Sequence, residues 1–173
     1  MRKLLFAVPF ALLMLKTSTA SAVGASAAVL IGNGFEDVYK LGVGARGGFT
    51  LPMSFYIGGT FVYHFGTTEG GSSVNLFYFG PEAGYDISAG PVIVRPYLGL
   101  GYSSVRATVD FCAYGVCNSV SGSDGRFTVW PGVTGLFPIG SLFVGADLRV
   151  VVPIDAGDKT TAFAGFLTAG MSF

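Results

Sequence analysis

Lys40, Arg46, His64, Glu82, Asp86, Arg95, Asp147 and Arg149 are the side chains of this sequence placed to do chemistry. All fall within stretches of regular alternation, on the same face as the glycines. Both signs are present, so the chemistry on offer is ion pairing or ion selection in a confined space. The tight turn at Ser88–Pro91 pairs its flanking segments so that Glu82 comes opposite Arg95, or one diagonal step away. An interior Glu82–Arg95 ion pair is therefore expected. Asp147 and Arg149 lie two residues apart on one face and are expected to join a network with Arg46.

His64 is the single histidine of the chain. With Ser72, Ser73, Ser103 or Ser104 it suggests a hydrolytic base, yet no spacing assembles nucleophile, base and orienting acid. An inward histidine sharing hydrogen bonds is the plainer expectation, and no catalytic residue is assigned. No Walker loop, HExxH or CxxC is present, so no metal or cofactor is expected. The pairs Gly42/Gly44 and Gly99/Gly101 mimic G-x-G but lack a following helix.

The elements that must carry these residues read as strands, because apolar residues recur with period two between turn residues. Phe55, Ile57, Phe61, Tyr63 and Phe65 alternate with Gly58, Thr60 and His64. Phe77, Phe79, Pro81, Ala83 and Tyr85 alternate with Tyr78, Gly80, Glu82, Gly84 and Asp86. Val94, Pro96, Leu98 and Leu100 alternate with Arg95, Tyr97, Gly99 and Gly101. The same pattern runs through Leu41–Leu51, Phe127–Val133, Leu142–Val150 and Phe163–Phe173. Glycine gains nothing on a solvent face, but inside a narrow barrel it leaves room for side chains from other strands. The glycine-rich, charged face is therefore the inner one and the apolar face the outer one. Phe55, Tyr56, Tyr63, Phe65, Phe77, Tyr85, Tyr97 and Tyr102 are expected to form aromatic girdles.

Connections alternate in length. Leu51–Ser54, Ser88–Pro91 and Phe137–Gly140 read as tight turns, and Thr67–Ser73, Asp110–Gly125 and Asp155–Lys159 as long polar loops. Seven strands are clear. An even number is needed if both ends lie on one side, so Val23–Ile31 is read as the eighth, with Gly32–Asp37 as the first loop. Pro81, Pro96 and Pro131 fall inside strands on the outer face, where bulges or interrupted pairing are expected.

The chain has 173 residues, 51% hydrophobic and only 12% charged. Disorder is excluded by that hydrophobicity. The longest apolar run, Leu4–Leu15, is too short for a membrane helix. Together with Arg2, Lys3 and the small residues Ala20-Ser21-Ala22, it reads as a signal peptide over residues 1–22, cleaved after Ala22 and leaving 23–173 as the barrel. Removal takes Arg2, Lys3 and Lys16 from the ten basic residues and none of the ten acidic ones, leaving a net charge near −3. That excludes a nucleic-acid footprint. Export makes Cys112 and Cys117, the two cysteines, candidates for a loop-pinning disulfide, with free thiols as the alternative.

The fold class is therefore all-β, an eight-stranded antiparallel transmembrane β-barrel. It resembles the small outer-membrane barrels of the OmpA/OmpX-like, porin-like kind. The C-terminal strand, with Phe163, Leu167, Met171 and terminal Phe173, is similar to the signal read there by the barrel-assembly machinery. Gly80–Asp86 and Arg95–Tyr102 look like the glycine-aromatic strands of porin-like proteins. The resemblance implies the bacterial outer membrane, contact with lipopolysaccharide, chaperoned assembly and a monomer. It carries over no catalytic residue. The expected function is structural or surface-interacting, with a lumen plugged by Glu82, Arg95, Arg46, Asp147, Arg149, Lys40 and Asp86. A narrow channel for small ions or solutes is the alternative, and a lipid-modifying enzyme a distant one. The Asp110–Gly125 loop is the candidate for any external ligand.

Overall fold

The computed structural model describes residues 24–69, 72–113, 116–154 and 161–173, the side chains at 37, 68–69 and 110–117 excepted. The expected signal peptide, the Asp155–Lys159 loop and the side chains of Cys112 and Cys117 lie outside what is described.

The strands are β1 (Gly24–Gly34), β2 (Gly42–Thr50), β3 (Phe55–Glu69), β4 (Ser72–Tyr85), β5 (Ile87–Ala89), β6 (Val92–Ala113), β7 (Val116–Ile139), β8 (Leu142–Ile154) and β9 (Ala162–Ser172). β4 and β5 are two pieces of one stave parted at Asp86, so eight staves form the wall. Each pairs antiparallel with its neighbour, and β4–β6 and β1–β9 pairing closes the barrel. Closure leaves no edge in the wall, so backbone groups find partners without water.

The alternation works as the sequence indicates. Val43, Phe49, Phe61, Leu98, Leu148 and Leu167 point outward and are exposed, while Arg46, Glu82, Asp147 and Arg149 point inward and are buried. A side chain every second residue can serve two solvents only this way. Inner glycines do the work expected of them. A Cβ on Gly99 would collide with the indole nitrogen of Trp130, and one on Gly132 would lie 2.5 Å from the Tyr97 ring. At these two positions the missing side chain is the seat of an aromatic ring. Gly90 and Gly140 take the left-handed conformation (φ 65°) that tight hairpins need.

Four expectations are corrected. β1 runs three residues past Ile31, because Gly32, Asn33 and Gly34 still pair with Phe166, Gly165 and Ala164 of β9. The Thr67–Ser73 segment is mostly ladder, with Glu69 opposite Ser72. Asp110–Gly125 is no loop either: β6 and β7 pair without a break from Ile93↔Leu136 to Ala113↔Val116. Asn118–Gly125 carries no apolar alternation because its side chains are exposed on both faces, yet antiparallel extension still satisfies the backbone. Finally, Tyr56 and Tyr97 are not girdle residues. They face inward and are buried.

The prolines interrupt pairing without shifting register. β4–β6 pairing lapses between Phe79↔Tyr102 and Glu82↔Gly99, at Pro81. It lapses again between Gly84↔Tyr97 and Ile87↔Val94, at Pro96. β7–β8 pairing lapses between Val129↔Val152 and Gly132↔Arg149, at Pro131. Each proline lacks the N–H that the ladder needs there.

Candidate functional site

The interior is filled in three layers. At the tight-turn end, Arg95 stands directly across from Asp86, and its Nε and Nη2 donate to the Asp86 carboxylate at 2.5 and 2.8 Å. Thr50 Oγ1 donates to the same carboxylate at 3.2 Å. The Arg95 guanidinium lies 3.7 Å from the centre of the Tyr56 ring, a stacked cation–π contact. The Glu82–Arg95 pair expected from the sequence is not formed. A two-residue turn at Gly90-Pro91 sets Ala89 opposite Val92, which brings Asp86 to Arg95 and leaves Glu82 opposite Gly99. A cavity of about 250 Å³ opens beside this pair, lined in part by Ser26, Thr50, Ile93 and Ser172.

The middle layer is a ring of four charges. Arg46 reaches Glu82 through Nε at 2.8 Å, and Asp147 through Nη1 at 3.0 Å. Arg149 Nε donates to Asp147 at 2.7 Å, and its Nη1 lies 4.0 Å from Glu82. Uncharged donors complete the acceptors. Trp130 Nε1 donates to Glu82 at 2.9 Å, Tyr97 Oη to Asp147 at 3.0 Å and Thr134 Oγ1 to Asp147 at 2.6 Å. Two guanidiniums and two carboxylates, all nearly inaccessible to water, cancel in charge. Burial of that kind is tolerated because the charges are paired, although Arg149 Nη2 is left without a hydrogen-bond partner.

The third layer, toward the long-hairpin end, is apolar. Leu30, Val62, Leu76, Tyr78, Val151 and Phe166 pack together as a small core. Over it the short 3₁₀ turn Asp37–Tyr39 inserts Tyr39, only 3% exposed. His64 lies fully buried beneath, its Nδ1 2.9 Å from the Lys40 carbonyl. Its ring neighbours are Tyr39 at 5.3 Å, Tyr78 at 5.9 Å and Phe166 at 5.8 Å. His64 is thus inward as expected, but it sits among aromatic rings rather than beside a serine. Lys40 has an exposed side chain at the rim, apart from the ring of four charges.

Two parts of this interior were not assigned from the sequence. The apolar layer was missed, although Tyr78, Tyr97, Trp130 and Phe166 share the parity of the charged residues. Thr134 and Trp130 were missed as partners because register across the barrel decides those contacts. Beyond the barrel wall, β7 has only β6 as a neighbour from Val116 to Arg126, since β8 first meets it at Phe127↔Ile154. Its other edge is unpaired among the described residues.

Comparison with solved structures agrees on architecture. A major outer membrane protein from Thermus thermophilus matches with a TM-score of 0.68 at 14% identity, over 88% of this chain and 100% of that one. Ail, the attachment invasion locus protein of Yersinia pestis, matches with a TM-score of 0.57 at 18% identity, over 87% and 99%. Neisserial surface protein A matches with a TM-score of 0.52 at 19% identity, over 90% and 98%. The fold is that of a small outer-membrane β-barrel. No protein-family model and no curated protein sequence matches the chain. The apolar wall and this fold together place the chain across the outer membrane.

Proposed function

We propose that the protein is a plugged outer-membrane barrel whose role is structural and surface-interacting, carried outside by the β6–β7 hairpin. The observation that supports a plug is the neutral ring of Arg46, Glu82, Asp147 and Arg149 beneath a packed aromatic layer. An eight-stave barrel is wide enough only for such side chains. The observation that supports a surface role is the β7 edge from Val116 to Arg126, unpaired among the described residues, since exposed edges add strands from other chains. Ail is by its name an attachment protein, and the same kind of role is proposed here. Lipopolysaccharide and the assembly machinery are the proposed partners in the membrane, and the protein is proposed to be a monomer. Cys112 and Cys117 stand directly opposite in the hairpin register, and a disulfide there would staple the tip. No catalytic role is proposed.

The testing measurement is planar-bilayer conductance of the refolded chain, its folding confirmed by heat-shifted gel mobility. Silence is the expected result. Discrete steps would replace it with the second reading, a narrow channel, which the vestibule beside Arg95 and Asp86 favours. Arg46→Ala and Asp147→Ala should then change the step size.

A further inference from the structure

His64 is held in one tautomer. The Lys40 carbonyl only accepts, so the facing Nδ1 carries the proton and Nε2 is left bare. That Nε2 is buried and has no hydrogen-bond partner. The side chains around it offer none that would welcome a second proton. The 3₁₀ turn presents Tyr39, β4 presents Tyr78, and β9 presents Phe166. β2 presents only Gly42, whose missing Cβ makes room for the ring. β8 presents Arg149, already cationic and 4.9 Å from the Phe166 ring. The carboxylates of the charged ring are already engaged, Asp147 by Arg46, Arg149, Thr134 and Tyr97 and Glu82 by Arg46 and Trp130. Burial raises the Tyr39 phenol, which stays neutral throughout.

We propose that the Asp37–Tyr39 turn is an acid-released stopper with His64 as its trigger. In neutral solution the uncharged imidazole seats Tyr39 over the aromatic layer. In acid, Nε2 takes a proton, and the side chains that proton meets are rings and the neighbouring guanidinium. The low-dielectric cluster cannot hold that charge. Lifting the turn admits water to the imidazolium and bares the mouth lined by Tyr78, Phe166 and Leu76 to the outside. Among the described residues, backbone hydrogen bonds to the barrel flank the turn on either side. Phe35 N donates to Phe163 O at 3.0 Å before it, Phe65 N donates to Leu41 O at 2.8 Å after it, and His64 holds Lys40 between them.

The test is amide hydrogen exchange of the full barrel in nanodiscs at pH 7.5 and pH 4.5, each corrected for intrinsic rate. Exchange over Phe35–Leu41 should rise at least tenfold in acid, while β9 stays protected. His64→Phe, which keeps a ring but takes no proton, should abolish the rise. Should that variant fold poorly, His64→Asn supplies a donor to the same carbonyl and should abolish it too. Tyr39→Ala should exchange fast at both values. Equal exchange at the two pH values, an equal rise in the His64 variants, or a rise spread over the whole barrel would each overturn the proposal.

Discussion

Replacing Asp147 by alanine would leave two guanidiniums, Arg46 and Arg149, facing the single carboxylate of Glu82 in a space closed to water. Four donors converge on Asp147, from Arg46, Arg149, Tyr97 and Thr134. Removing one member of a buried pair costs about 3–5 kcal/mol, mostly as the penalty of the stranded charge. With a slope of about 2 kcal/mol per molar urea, the unfolding midpoint should fall by roughly 2 M. Arg149→Met alone strands charge of the other sign and should cost a similar amount. The double variant restores neutrality, because Arg46 and Glu82 remain as a one-to-one pair at 2.8 Å. Its cost should therefore fall short of the sum of the single costs by about 2–3 kcal/mol. Equilibrium urea unfolding in lipid vesicles, followed by Trp130 fluorescence, measures all three. Costs that add to within about 0.5 kcal/mol, or an Asp147→Ala cost below about 1 kcal/mol, would refute the idea that the four charges act as one ring.

Gly99→Ala should prevent proper seating of Trp130 and cost about 1–3 kcal/mol by overpacking, read as loss of heat-shifted gel mobility. Trp130→Phe keeps the ring but removes the donor to Glu82, and a cost of about 1.5–3 kcal/mol in the same urea assay is expected for a hydrogen bond to a charge. Leu148→Arg places a charge on the lipid-facing wall and should cost about 2–4 kcal/mol if near the bilayer midplane. Ser119→Arg, on the exposed hairpin, should leave stability unchanged.

The alternation of small and polar with apolar residues was legible because each strand faces two environments at once. It correctly put Arg46, Glu82, Asp147 and Arg149 inside and Phe61 and Leu98 outside. Partner choice was less legible. Whether Arg95 meets Glu82 or Asp86 depends on where the turn closes, and Gly90-Pro91 closing one step from the centre of Ser88–Pro91 moved every pair along the ladder. The contacts of Arg46 with Glu82 and Asp147 cross the lumen between staves 36 and 101 residues apart, beyond any local pattern. The outer part of the hairpin was illegible for a different reason. Water on both faces erases the periodicity by which a strand is recognised.

The placement of the three proline lapses has a mechanical consequence. They all lie in the two seams that flank β6–β7, namely β4–β6 and β7–β8, whereas β6–β7 itself is paired without a gap. The wall is therefore two stiff panels joined along two perforated lines. One panel is the six-stave sheet from β8 through β9, β1, β2 and β3 to β4, and the other is the long β6–β7 hairpin. A pull on the hairpin tip is borne first where hydrogen bonds are missing, so the load falls on the perforations before it reaches either panel.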